Sequence, residues 1–182
     1  MKSPYLFIAK PIDGKRYNNT KNIGGIDFIV NTSEENHKAS NRFATVISTP
    51  IKYNGPVKKG DTLVVHHNVF KFYNDMYGRR KSGRSYFKDD LFFIEPDQFY
   101  MFHNGEKWNT HGRYCFTKPI PVEDSYIYKP FSEEPLMGEI KYSNEYLRSK
   151  DINEGDKVCF QPDSEYEFEI EGEKLYRMYD HQ

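Results

Sequence analysis

The fold is indicated by a segment that occurs twice in the sequence. Its first copy is Val57-Lys58-Lys59-Gly60-Asp61-Thr62-Leu63-Val64-Val65, and its second is Ile152-Asn153-Glu154-Gly155-Asp156-Lys157-Val158-Cys159-Phe160. In both copies a Gly-Asp pair precedes a run of apolar and β-branched residues, which predicts a tight turn followed by a buried strand. A strand that ends in Lys-Pro-Ile also occurs twice, at Lys10-Pro11-Ile12 and at Lys118-Pro119-Ile120. These correspondences predict an internal repeat of one β-rich unit.

The first copy of this repeat is longer than the second in two places. The Lys-Pro-Ile strands are 108 residues apart, the Gly-Asp turns are 95 apart, and Asp90–Ile94 precedes its counterpart Lys174–Met178 by 84. The extra residues fall within 13–43, which is a polar stretch, and within 71–89, where 73–84 predicts a long basic hairpin or loop. Function on a rigid β scaffold is usually carried by loops, so we expect it at these two insertions.

Composition places the chain in the all-β class. Aromatic residues make up 16% of the 182 residues, there are ten prolines, and short apolar runs end at Gly, Pro, Asn or Asp. The predicted strands are residues 5–9, 43–47, 62–65, 91–94, 99–102, 114–117, 157–160 and 166–170. Helical periodicity is almost absent, and the best helical candidate is 143–148. We expect small closed or nearly closed barrels, because closure removes exposed strand edges.

Charge and cysteine content limit the classes of partner. The 26 Lys and Arg residues against 27 Asp and Glu give a net charge of −1, so no global basic field attracts nucleic acid or anionic lipid. The chain has no run of 18 apolar residues and does not begin like a secretory signal, so we expect a cytoplasmic protein without membrane contact. Cys115 and Cys159 stand in apolar runs and are predicted to be buried, reduced core residues.

The order of these features resembles that of the GroES-like co-chaperonins. In that family a first strand ends near Val-Lys-Pro, and a long flexible loop carries Gly-Gly-Ile and further apolar residues. A Gly-x-Val strand follows, a Val-Lys-x-Gly-Asp turn then leads into a buried strand, and a late strand reads Glu-x-Leu-Ile. The corresponding segments here are residues 8–11, 24–26, 44–46, 57–61 and 90–93. The resemblance covers residues 4–102, and a second copy without the long loop covers 112–180.

This resemblance implies two tandem small GroES-like β-barrel domains, at residues 1–105 and 112–182. The first would carry a mobile loop at about 17–38 and a basic loop at about 73–87. The implied function is that of a co-chaperonin, which docks on a nucleotide-bound chaperonin ring and caps the cavity in which substrate proteins fold. The implied assembly is a homo-oligomer, with a ring of seven as the family pattern.

The resemblance also assigns the chaperonin contacts. They are Gly24, Gly25, Ile26, Phe28, Ile29 and Val30. Asp27 departs from the family's apolar run at this point, so the apolar triplet shifts to 28–30. Polar residues flank the segment on both sides, which is typical of a loop that is disordered alone and becomes extended in an apolar groove. The alternative is an ordinary strand at 24–30, following a Gly-Gly turn and packed on the first barrel.

No residue pattern indicates an enzyme. His66 and His67 are adjacent and would point to opposite faces of a strand, and the other histidines have no ligand spacing, so we expect no metal. The sequence contains no nucleophile elbow, phosphate loop or dinucleotide fingerprint, and we expect no catalytic residues and no cofactor.

Two alternatives to the co-chaperonin function stay open. The chain could be a purely structural β-barrel subunit, for example of a shell. The basic residues of 79–84, with aromatic residues near them, could instead form a small surface that binds single-stranded nucleic acid.

Overall fold

The computed structural model describes residues 1–18, 20–29, 39–122 and 133–182. The chain divides into two compact units, unit 1 (Met1–Lys107) and unit 2 (Trp108–Gln182). Antiparallel strands dominate both units, which confirms the all-β prediction. No helix in the described part of the chain has the length and apolar character needed to cross a membrane. That each unit is a closed GroES-like barrel stays a prediction.

Unit 1 is built on one main antiparallel sheet. Its strands are β1 (Phe7–Pro11), β2 (Thr20–Ile23), β3 (Ile26–Ile29), β4 (Phe43–Ser48), β5 (Thr62–Val65), β6 (Phe72–Asn74), β7 (Arg80–Ser82), β8 (Tyr86–Lys88), β9 (Leu91–Ile94) and β10 (Phe99–His103). In the main sheet they are hydrogen-bonded in the order β10-β5-β4-β1-β9-β8. Strands β2 and β3 form a separate hairpin, as do β6 and β7. Single 3-10 turns lie at Ile12–Gly14 and Pro96–Gln98.

The core of unit 1 lies around the central strand β1. Phe7, Ile8 and Ala9 are all buried, and β4 and β9 pair with this strand on its two sides. The ring of Phe7 packs edge-on against that of Phe99, with their centroids 5.3 Å apart. Along β4 buried and half-buried residues alternate, as expected for a strand with one face on a core.

Unit 2 has a five-stranded sheet and one short helix. Its elements are β11 (Trp108–Thr110), β12 (Tyr114–Pro121), β13 (Glu133–Tyr142), α1 (Glu145–Arg148), β14 (Lys157–Cys159), β15 (Tyr166–Ile170) and β16 (Glu173–Tyr179). The sheet order is β14-β13-β12-β16-β15. Helix α1 begins after Asn144, whose side chain accepts a hydrogen bond from the Leu147 N–H at 2.8 Å. Leu147 packs into the core beside Ile140 and Met178.

The two sheets repeat the same order of neighbours. In unit 1 the order β5-β4-β1-β9-β8 matches β14-β13-β12-β16-β15 of unit 2, strand by strand. Ala9 of β1 pairs with Val46 of β4. Its counterpart Thr117, 108 residues later, pairs with Ile140 of β13. The predicted internal repeat is therefore present in the topology and in the register.

The two Gly-Asp turns, Gly60-Asp61 and Gly155-Asp156, are equivalent, as predicted. Their glycines have φ of 97° and 96°, in the left-handed region that favours glycine. In each turn the glycine N–H donates to the carbonyl of a preceding strand at 2.8 Å. Each aspartate carboxylate accepts from the N–H three residues earlier, at 2.8 Å in unit 1 and 2.7 Å in unit 2.

Three sequence-based expectations need correction. Strand β14 is not a buried strand: Lys157 and Cys159 are exposed, because this three-residue edge strand turns alternate side chains to solvent. Cys115 is buried as predicted, whereas Cys159 is not. His66 and His67 follow β5 and lie outside a strand, so their rings do not point to opposite faces but stack, with centroids 4.1 Å apart.

Candidate docking site

Strands β2 and β3 form a short hairpin closed by two glycines. Gly24 and Gly25 have φ of 62° and 86°, so both central residues of the two-residue turn are left-handed. This is the type I′ arrangement, whose twist suits tight antiparallel hairpins. Backbone pairing runs from Thr20 opposite Ile29 to Ile23 opposite Ile26. The Gly-Gly pair therefore sets both the turn and the register of the flanking strands.

The hairpin exposes large apolar side chains. The exposed fractions are 56% for Ile23, 63% for Ile26, 49% for Phe28 and 67% for Ile29. Ile23 lies directly opposite Ile26, and Phe28 follows two residues later, so these three share one face of the ribbon. Ile29 lies on the other face. A cluster of exposed apolar side chains of this kind is typical of a surface that contacts a partner.

The described residues on either side of the hairpin are held in a closed neck. The Asn18 N–H donates to the Ala39 carbonyl at 2.7 Å, and the Asn41 N–H donates to the Arg16 carbonyl at 3.0 Å. Tyr17 forms a β-bridge with Ser40 between these two bonds. The segment that contains the hairpin therefore leaves and re-enters unit 1 at one place.

Asn41 fixes this neck from inside the unit. It is 3% exposed, and its side-chain NH₂ donates to the Ile12 carbonyl at 3.0 Å and to the Lys15 carbonyl at 2.7 Å. Its side-chain oxygen accepts from the Phe43 N–H at 2.9 Å. A buried amide with three good hydrogen bonds holds the chain before and after the hairpin segment in one arrangement.

Arg16 connects the same neck to the β6–β7 hairpin. Its guanidinium donates to the Phe70 carbonyl at 2.8 Å, to the Lys71 carbonyl at 3.0 Å and to the Ser82 hydroxyl at 3.2 Å. It also lies over the Phe72 ring, 5.1 Å from the centroid. Burial lowers the pKa of Arg16 below its ordinary value.

The predicted contact residues fall into three groups. Gly24 and Gly25 form the turn, and Ile26, Phe28 and Ile29 lie exposed on β3. Val30 lies outside the described residues, as do residues 31–38 of the predicted 17–38 loop. The alternative of a strand packed on the first barrel holds only in part: 26–29 is a strand, but it pairs with β2 and its described side chains are exposed.

Ile23 is an exposed apolar residue that is not among the predicted contact residues. It precedes the Gly-Gly turn, whereas the predicted apolar segment lies on the C-terminal side of that turn. A two-residue Gly-Gly connection between short runs predicts a hairpin, which would have placed Ile23 opposite Ile26.

The second predicted insertion is also a hairpin. Strands β6 and β7 pair across a turn at Asp75–Arg79, where the Asp75 carboxylate accepts hydrogen bonds from the Tyr77 and Arg79 N–H groups at 2.9 Å each. Residues 73–82 of the stretch 73–84, for which the sequence predicts a long basic hairpin or loop, lie in this hairpin. Within the described ranges no group of three His, Cys, Asp or Glu side chains is placed to hold a metal ion.

Comparison with known proteins adds no family assignment. No family model matches the chain, and no curated protein matches it. The hairpin geometry and the repeated sheet are therefore the structural features that bear on function.

Proposed function

We propose that the protein is a co-chaperonin, which docks on a nucleotide-bound chaperonin ring through the β2–β3 hairpin and caps the folding cavity. The observation that carries this proposal is the set of exposed apolar side chains on both faces of the hairpin, with Ile23, Ile26 and Phe28 on one face and Ile29 on the other, beside a Gly-Gly turn. The proposed activity needs no catalytic residue and no cofactor of its own. It places the protein in the cytoplasm with its partner chaperonin and the enclosed substrate proteins.

The energetics of the hairpin suit a reversible contact. Complete burial of one Ile or Phe side chain contributes about 1.5–3 kcal/mol, but docking must also order the hairpin and remove freedom of motion. One docked hairpin is therefore weak. A ring of subunits, which we take as seven-membered from the resemblance, makes later contacts intramolecular and adds roughly 10²–10⁴ in avidity. Weak single contacts also allow release when the chaperonin changes shape.

The repeated sheet supports a tandem arrangement of GroES-like domains. Each unit has the same order of neighbouring strands and the same Gly-Asp turn. The exposed apolar hairpin belongs to unit 1. We propose that unit 1 carries the docking activity and that unit 2 adds a second barrel to the wall or roof of the cap.

A substitution in the hairpin tests the proposal. Ile29→Asp places a charge where docking would bury it, and an unpaired buried charge is costly enough to abolish the contact. Because Ile29 is 67% exposed, its replacement should change the free energy of unfolding by no more than about 0.5 kcal/mol. Ile51→Asp is the matched control, since Ile51 is 51% exposed but lies outside the hairpin.

The measurement is native mass of mixtures with purified chaperonins, with and without ATP. The parent and Ile51→Asp should bind in ATP, whereas Ile29→Asp should melt with the parent and not bind. A parent that binds none of the chaperonins in either state would refute the co-chaperonin proposal and favour a structural subunit. A large drop in melting temperature for Ile29→Asp would show a packed strand in place of a docking hairpin.

A further inference from the structure

The β6–β7 hairpin presents a basic and aromatic face to solvent. Phe72 pairs with Ser82, and Phe72 is buried, so this side of the ribbon faces the body of unit 1. The neighbouring pair, Tyr73 and Lys81, therefore lies on the outer side. Tyr73 is 55% exposed, and Lys81 and Arg79 are exposed as well.

The tip of this hairpin adds apolar surface to the charge. Met76 is 89% exposed and Tyr77 is 76% exposed, and the guanidinium of Arg79 lies over the Tyr77 ring at 5.6 Å from the centroid. Tyr, Met and Arg are the residues that protein–protein interfaces are enriched in. The tip has the composition of an interface, with a positive rim.

Strand β15 of unit 2 carries the opposite charge in a regular row. Its segment reads Glu165-Tyr166-Glu167-Phe168-Glu169-Ile170-Glu171, in which every glutamate is exposed and the residues between them are buried or half-buried. Among the described strands β15 pairs only with β16, at one end of the sheet. The outer row of this edge strand is therefore a continuous acidic stripe.

Nearby cations neutralise the stripe only in part. Lys174 of β16 lies 3.8 Å from the Glu167 carboxylate, but it is bonded more closely to Glu133, at 2.8 Å. Glu171 accepts a hydrogen bond at 2.9 Å from the indole N–H of Trp108, which is an uncharged donor. Glu169 is exposed in the middle of the row and lies directly opposite the same Lys174 across the β15–β16 ladder, so one lysine faces the carboxylates of Glu133, Glu167 and Glu169.

The charged groups of the two surfaces are closely placed. Glu167 and Glu169 lie two apart on one face of β15, at about 6.6 Å along the strand. Arg79, the last residue of the turn, and Lys81 of β7 are also two positions apart in the sequence. The basic pair at the end of the hairpin can therefore lie opposite the acidic pair of β15.

We infer that the β6–β7 hairpin of one chain docks on the acidic β15 stripe of a second copy of this chain. The contact joins different surfaces of the two copies, so it repeats head to tail and closes into a ring where the rotation allows. This contact rests on the ring of subunits in the proposed function and names the two surfaces that would form that ring.

A second copy fits this hairpin better than a nucleic acid does. The chain has a net charge of −1 and carries the acidic stripe itself. A polyanion that the hairpin attracts would therefore be repelled by the acidic stripe of the same chain. The complementary partner, in contrast, is present on every chain. Because exposed ion pairs are individually weak and screened by salt, the assembly should weaken as ionic strength rises.

Charge reversal tests the contact on the full chain. Arg79→Glu/Lys81→Glu and Glu167→Lys/Glu169→Lys should each weaken self-association at least about tenfold, measured as mass against concentration by sedimentation at low and high salt. The quadruple variant, which reverses both surfaces, should associate as the parent does. Lys58→Glu/Lys59→Glu changes the same charge at exposed positions outside the hairpin and should leave association unchanged.

The outcomes separate the possibilities. A monomeric parent at low salt, or loss of association that the quadruple variant does not restore, would overturn the inference. The inference would also be overturned if Arg79→Glu/Lys81→Glu assembled as the parent does but no longer bound a single-stranded oligonucleotide that the parent binds. That result would assign the hairpin to nucleic acid. Ile29→Asp should assemble normally, so a failure of chaperonin docking is distinguishable from a failure of assembly.

Discussion

Asn41→Asp is a near-isosteric change that should weaken unit 1 in a pH-dependent way. The Asn41 NH₂ group donates to the Ile12 and Lys15 carbonyls at 3.0 and 2.7 Å. A carboxylate at this position loses both donors and turns a negative oxygen toward two carbonyl oxygens. The acceptor bond from the Phe43 N–H is kept.

The magnitude follows from the lost bonds. Each part-buried carbonyl that loses this donor costs about 1–3 kcal/mol, so the two lost bonds should lower the free energy of unfolding at neutral pH by roughly 2–6 kcal/mol. For a unit of this size such a loss corresponds to a fall in melting temperature of about 10 °C or more. Because stabilities are only about 5–15 kcal/mol, the change should be easily measured.

The loss of stability caused by Asn41→Asp should grow as the pH rises. The carbonyls favour the protonated acid, so the folded-state pKa of the carboxyl introduced by Asn41→Asp lies above its unfolded value of about 3.9. Below about pH 4 both states are protonated, and the titration removes no stability. As pH rises through the folded-state pKa, the carboxylate is increasingly favoured in the unfolded state, and the full loss is present above that pKa.

The assay is thermal unfolding of the full chain from pH 3.5 to 8, with amide exchange of Val46 and Leu63 to follow unit 1. Asn54→Asp is the matched control, because it introduces the same charge at an exposed position. A loss that is equal at all pH values, or an Asn41→Asp melting curve identical to that of the control, would refute the assignment of Asn41 as the fixed point of the neck.

Three further predictions concern the repeat, the thiols and unit 2. Asp61→Ala should cost about 1–2 kcal/mol and Asp156→Ala less, because Asp61 is nearly buried and water can replace the carboxylate at the exposed turn; denaturant unfolding measures both. One thiol per native chain, that of Cys159, should react with a disulfide reagent at pH 8, whereas burial raises the pKa of Cys115 to about 12 and delays its reaction until unfolding. Burial alone would raise the pKa of Asp180, but hydrogen bonds from Arg113 and Asn144 lower it. Stability should therefore fall as the pH drops through that lowered pKa, and Asp180→Asn should flatten the acid side of a plot of melting temperature against pH.

The strands and the repeat were predictable because their rules are local. Strands β5, β9 and β15 have the predicted bounds, since apolar or alternating runs end there at residues that favour turns. The Gly-Asp turns were predictable because adjacent residues encode both of their features. The glycine adopts a left-handed φ, and the aspartate carboxylate accepts a hydrogen bond from the N–H three residues earlier. Cys159 could not be placed in this way. Its neighbours Val158 and Phe160 suggest a core, but the exposure of a three-residue edge strand depends on what covers it.

The exposed apolar hairpin was predictable in its residues but not in its form. Polar flanks and a Gly-Gly-Ile segment predicted an exposed loop with apolar contacts, and the apolar side chains of β2 and β3 that the structure describes are exposed. Pairing across the turn placed Ile23 beside Ile26, which required the register. The part played by Arg16 and Asn41 was not predictable, because their partners lie far away in sequence or on backbone carbonyls that carry no sequence signature.

The closed neck and the exposed hairpin together explain how the proposed docking contact can be both weak and specific. An isolated two-stranded hairpin is only marginally stable in water, so β2 and β3 can open and close while Asn41 holds the ends of the segment in place. A fixed neck anchors both ends of the segment at one place on unit 1, which limits the freedom that the segment must lose on binding. The Gly-Gly turn favours the extended pairing before contact, which lowers the ordering cost further. Affinity can then come from few apolar side chains, and release requires only that this small face be uncovered.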